Sequence, residues 1–147
     1  MPTIYSGDVP SDLSITGGSN VRQNLGASGF EGRDLGVRTF ELTYRTPTSG
    51  LGVCLMRTYQ AMDFTNIAGA TVGSSTPRVW FNVEKRTSPS GTGTDVLASD
   101  LQLTTSGNYT TSMNSAQSNA DDWWYIHISN VSGTVNTVNI TLTLKVH

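Results

Sequence analysis

The run Thr137-Val138-Asn139-Ile140-Thr141-Leu142-Thr143-Leu144-Lys145-Val146 decides the fold. In an extended chain Val138, Ile140, Leu142, Leu144 and Val146 share one side, and Thr137, Asn139, Thr141, Thr143 and Lys145 share the other. Alternation this long sets the register, because a one-residue slip would bury the whole hydroxyl face. Just upstream, Trp124, Ile126 and Ile128 alternate with Trp123, Tyr125 and His127, and Ser132-Gly133 reads as a turn between the two runs. Further back, Val79, Phe81 and Val83 alternate with Arg78, Trp80, Asn82 and Glu84. Phe40, Leu42 and Tyr44 alternate with Thr39, Glu41 and Thr43, ahead of the breaker Pro47-Thr48-Ser49-Gly50.

Less regular pieces complete the pattern. Over 51–59, Val53, Leu55 and Arg57 oppose Cys54, Met56 and Thr58, with a helical turn as an alternative around Ala61-Met62. Residues 65–77 are small and polar and read as a loop, as does Thr87–Thr94. A weaker piece lies near 109–113. Strands are therefore expected near 37–45, 51–59, 78–85, 95–103, 123–130 and 134–146. The expected core holds Phe40, Leu42, Val79, Phe81, Val83, Trp124, Ile126, Ile128, Ile140, Leu142 and Leu144. Many short strands spaced by turn signals predict an all-β, antiparallel β-sandwich of jelly-roll type. Residues 1–36 carry Ile4, Tyr5, Leu13 and Ile15 among Gly, Ser, Asp and Pro, and read as an extended N-terminal arm and irregular lead-in to a sandwich domain at 37–147.

Composition narrows the function classes. Of the 147 residues, 17 are Ser and 21 are Thr, and charged residues make up 14%, against roughly a quarter in an average soluble protein. The net charge is −2, and no Lys or Arg occurs between Arg86 and Lys145. Phosphate-backbone binding needs clustered cations, so nucleic acid is excluded as a partner. No apolar run is long enough for a transmembrane helix. Met1-Pro2-Thr3-Ile4 lacks the basic start and apolar stretch of a secretory leader, so synthesis in a cytoplasm is expected. The single Cys54, flanked by Val53, Leu55 and Met56, reads as a small core residue.

Catalytic constellations are missing from the sequence. The histidines are His127 and the terminal His147, and Gly26-Ala27-Ser28-Gly29 falls short of a nucleophile elbow. One Cys and two distant His do not make a zinc site, and Asp95, Asp121 and Asp122 stand in no calcium-loop pattern. Neither an enzyme, a cofactor nor a metal is expected. Two features remain as candidate interaction sites. Trp123, Tyr125 and His127 put large flat side chains on one strand face, which suits a subunit contact or stacking on a sugar ring, unless the protein covers them itself. Ile4, Tyr5, Leu13 and Ile15 of the arm suit separate pockets on a neighbour.

A chain that starts at Met, is poor in Lys and Glu, rich in Ser, Thr, Asn and Gly, all-β and nearly free of Cys resembles accessory structural proteins of tailed-phage virions. Capsid cement or decoration proteins are nearest in size. The resemblance rests on composition and strand spacing and carries over no site residue. It implies a homo-oligomer, in first place a trimer, that binds the major capsid protein on the capsid exterior after synthesis in the host cytoplasm. Two alternatives stand beside it: a carbohydrate-binding jelly roll using Trp123, Tyr125 and Trp80, and a tail-fibre or baseplate receptor-binding domain.

Overall fold

The computed structural model describes residues 36–147, which are built from strands and connections without a helix. The strands are β1 (Val37–Arg45), β2 (Leu51–Arg57), β3 (Met62–Arg86), β4 (Thr94–Asp95), β5 (Leu101–Leu103), β6 (Asn108–Thr110), β7 (Gln117–Ser118) and β8 (Trp123–Val146). The arm residues Ile4, Tyr5, Leu13 and Ile15 lie outside the described residues.

All pairings are antiparallel, and β3 and β8 run beside each other along almost their full lengths. Both long strands bend at one place. There Ser75, Thr76 and Pro77 stand opposite Gly133, between the pairs Ser74↔Thr134 and Arg78↔Ser132. The bend turns one hydrogen-bonded sheet into two facing layers. In the first, β1 pairs the C-terminal half of β8, which pairs the N-terminal half of β3, which pairs β6 and β7. In the second, β2 pairs the N-terminal half of β8, which pairs the C-terminal half of β3, which pairs β4 and β5. Counting each bent strand as two and joining the short pieces, this is the eight-strand order of a jelly roll. The fold expectation is met.

The layers close on Trp124. Its ring lies edge-on to Phe40 of the first layer at 5.5 Å between centroids, and tilted against Phe64 at 4.8 Å. Its indole N–H donates to Ser118 Oγ at 2.6 Å, so the buried donor is satisfied. Every expected core residue is buried except Phe40 and Leu42, which are partly buried at the β1 edge.

Several strand boundaries need correction, each for a local reason. Residues 65–77, read as a loop, belong to β3. Their outward positions include Ala68, Ala70 and Val72, none of which signals a polar face, and a bulge between Phe64 and Asn66 breaks the alternation. Pro77 argues against a strand interior, yet it sits in the unpaired bend. Ser132-Gly133 is likewise no end of strand: Gly133 takes φ 73° and β8 runs through it. The second strand stops at Arg57, short of Tyr59, and 61–62 shows no helical turn. The expected 95–103 strand is two short pieces, β4 and β5, and the expected 109–113 piece is β6, at 108–110.

The interrupting segment between β4 and β5 is held by Asn82, which is 1% exposed. Its Nδ2 donates to Leu97 O at 3.1 Å and to Asp100 Oδ1 at 3.3 Å, and its Oδ1 accepts from Leu97 N–H at 3.0 Å and Val83 N–H at 2.9 Å. This pin seats Val96 and Leu97, both buried, over the end of the core.

Candidate functional site

The sequence-predicted strand face lies on the outside of the second layer. Trp123, Tyr125 and His127 are paired on one side with Arg57, Cys54 and Gly52 of β2, and on the other with Arg86, Glu84 and Asn82 of β3. Trp123 and Tyr125 are half-buried and His127 is exposed. Their outward direction is as expected, but their surroundings differ from an open aromatic platform.

Arginines occupy the ring faces. The Arg86 guanidinium lies 3.9 Å from the centre of the Tyr125 ring, and Arg86 Nη2 is 2.8 Å from Glu84 Oε2. That carboxylate holds the guanidinium pKa above its ordinary value. The Tyr125 hydroxyl donates to Pro89 O at 3.1 Å, and Arg86 Nη1 donates to the same carbonyl at 3.2 Å. Tyr125 is thus tied to the loop after β3. Its phenol is pushed above its ordinary pKa, first by Cys54 across the ladder and then by desolvation. Arg57 stands 6.0 Å from the Trp123 ring centre and pairs with Asp121 at 3.0 Å. A cation over an aromatic face contributes roughly 0.5–1 kcal/mol at exposed sites, and a sugar stacking on the Tyr125 face would have to displace it.

Trp80 lies beyond the His127 end of this row, away from Trp123. It pairs with Asn130 and Gln102, and the distance along β3 to Arg86, beside Trp123, is about 20 Å at ordinary strand rise. Cys54 corrects another expectation: it is exposed on the outer face rather than in the core. A bulge between Cys54 and Met56 brings both Leu55 and Met56 to the gap between β1 and β2, and leaves Cys54 opposite Tyr125.

Beside the aromatic row Glu84, Asp95 and Asp100 draw together. Desolvation first, then Glu84 and Asp100, hold the Asp95 carboxyl above its ordinary pKa, with His127 opposing. Among the described residues no group of three His, Cys, Asp or Glu is arranged to hold a metal ion.

A polar cleft of about 330 Å³ opens at the sandwich rim, lined by Lys85, Thr87, Thr94, Ser115, Gln117, Asn119 and Asp122. Lys85 points inward from β3 and is 9% exposed. Its Nζ donates to Ser115 Oγ at 2.8 Å and to the Gln117 carbonyl, tying β3 to the strand opposite. Desolvation pulls its pKa down while Asp122 and Asp63 raise it. Reading Lys85 as an outward strand position would miss this link. The signal for it is parity with Val83 and Phe81.

No protein-family model matches the sequence, and no curated protein matches it. Several solved structures are distantly similar to this chain. A chain of the cyanophage Pam1 capsid asymmetric unit is 12% identical with a TM-score of 0.40, covering 76% of this chain and 84% of that one. A chain from Bacillus endospore appendages, disulfide-linked pili, is 9% identical with a TM-score of 0.34, covering 76% and 89%. VP2 of infectious bursal disease virus, from a subviral particle, is 10% identical with a TM-score of 0.24, covering 76% and 41%. Likenesses of this size assign neither a family nor an activity.

Proposed function

We propose that the protein is a non-enzymatic structural component of a virion, a cement or decoration protein of the tailed-phage type. It binds the outer capsid surface through its N-terminal region as a homo-oligomer, in first place a trimer, and reinforces the shell without chemistry. The observation that carries the reading is the jelly-roll order of the strands, an architecture used by capsid and lectin domains alike, so the step to function is one of fold-level analogy. The composition supports the capsid side: few charges and a hydroxyl-rich outer surface. The guanidinium lying over Tyr125 weighs against the lectin side, because it takes a ring face that a sugar would need.

The test adds the purified protein to shells that lack it and follows their resistance to heat. Binding and a raised disruption temperature are expected, with attachment weakened by deleting residues 1–20. Absence of binding, together with glycan binding lost on Trp123→Ala, would move the function to carbohydrate recognition.

A further inference from the structure

Sheet edges are where a β-protein meets other chains, and natural proteins blunt them with short strands, bulges and charges. The described sandwich has four such edges. Two are formed by short pieces, β4 with β5 and β6 with β7. The third, β2, is broken by the bulge between Cys54 and Met56. The fourth, β1, keeps one unbroken register against β8 from Val37 to Arg45.

The direction of its free backbone groups follows from the pairing. Val146 N–H donates to Gly36 O at 2.7 Å and Thr46 N–H donates to Asn136 O at 2.8 Å. Even-numbered residues of β1 therefore exchange hydrogen bonds with β8. The odd-numbered Glu41, Thr43 and Arg45 turn their N–H and C=O away from it. Their side chains are exposed on the outer face, and neither Glu41 nor Arg45 has an ion pair among the described residues.

From this we infer that β1 pairs antiparallel with β1 of a second copy about a two-fold axis through Thr43. In that register Glu41 stands opposite Arg45 of the other copy, and Arg45 opposite its Glu41. On the inner face Leu42 meets Tyr44. Sliding the strands to centre on Glu41 would set like charges opposite each other, which is destabilising. Pro47, without an N–H, stops the ladder beyond Arg45. A guard of one sign would repel a second copy, whereas this edge is complementary to itself. The contact extends the first layer across two molecules and is independent of capsid binding. Combined with a trimer it gives even multiples of the chain.

The experiment is sedimentation equilibrium on the full chain, with Glu41→Arg, Arg45→Glu, the double reversal and Thr43→Pro. Wild type is expected to populate an even-numbered species. Each single reversal is expected to weaken it about tenfold or more, since two opposite-charge pairs become like-charge pairs. The double reversal restores it. Thr43→Pro abolishes it while the circular-dichroism melt stays cooperative, because the lost N–H faces away from β8. A wild-type monomer at every concentration, an odd-numbered species alone, or single reversals that leave the mass unchanged would overturn the inference.

Discussion

Replacing Asn82 by Ala is expected to loosen the segment between β4 and β5 and lower the stability of the whole sandwich. The side chain is 1% exposed and satisfies both backbone groups of Leu97 as well as Val83 N–H. Truncation strands those three groups. A buried group left unpaired costs about 1–3 kcal/mol, and water reaching the vacated space recovers part, so a loss of about 3–5 kcal/mol is expected. At about 4 °C per kcal/mol for a domain of this size, the melting temperature falls by roughly 12–20 °C. Asn82→Asp separates the donors from the acceptors. A carboxylate still accepts from Leu97 and Val83 N–H, but it faces Leu97 O and Asp100 without a donor. Burial and Asp100 raise the folded pKa of the introduced group, so its stability is present at low pH and lost as pH rises through that value. The Asp variant should therefore recover toward wild type on going from pH 7 to pH 4, and the Ala variant should not. Urea denaturation at both pH values measures this, with hydrogen exchange at the Leu97 amide as the local readout. An Asn82→Ala protein within about 0.5 kcal/mol of wild type, Leu97 still protected, would refute the pin.

Ile140→Ala empties a fully buried core position and should cost about 2–5 kcal/mol by urea denaturation. Gly133→Ala places a Cβ 2.4 Å from Ser75 O at φ 73°, so a loss of about 1–3 kcal/mol is expected at the bend, seen as a lower melting temperature. Asp95→Asn removes a carboxylate whose pKa is raised by desolvation, Glu84 and Asp100 above its ordinary 3.8. A raised folded pKa means that ionisation opposes folding. The variant should melt higher than wild type at pH 7, with the gain fading as pH falls to 3.8 and below.

Sequence pattern located the core strands because their period-two alternation is set by burial on one face. Val79, Phe81 and Val83, and the set from Trp124 to Leu144, needed no tertiary information. It failed where tertiary packing reuses a residue. Ala68 and Ala70 face outward without being polar, and Pro77 breaks a ladder that resumes beyond it. Cys54 sits among apolar neighbours yet faces out, in step with Gly52 and opposite to Leu51 and Val53, while the extra residue at Leu55 shifts the phase only beyond it, turning Met56 in and Arg57 out. Asn82 stood in an outward position and carried no sign that a distant segment would bury it. The aromatic row was legible as a direction, but the arginines that cover it come from cross-strand pairing at Arg57 and Arg86. Pairing partners are not written in local alternation. Ile4, Tyr5, Leu13 and Ile15 lie outside the described residues.

The departures from local pattern share a purpose. The Ser75–Pro77 bend, Gly133 with its positive φ, the Leu55 bulge and the Asn82 pin all serve to fold one long β3–β8 ribbon into two layers and close its ends. Residues that break local rules usually mark function or closure, and in this sandwich they mark closure. Trp123 and Tyr125 occupy ordinary strand positions with Arg57 and Arg86 beside their rings, while His127 stays exposed. The β1 edge is the reverse case. There the absence of any bulge or break, beside three edges that are bulged or cut short, is the departure. Regularity at an open edge keeps every outward N–H and C=O in step. That is the requirement for adding another strand, and the opposite charges at Glu41 and Arg45 restrict which strand can be added.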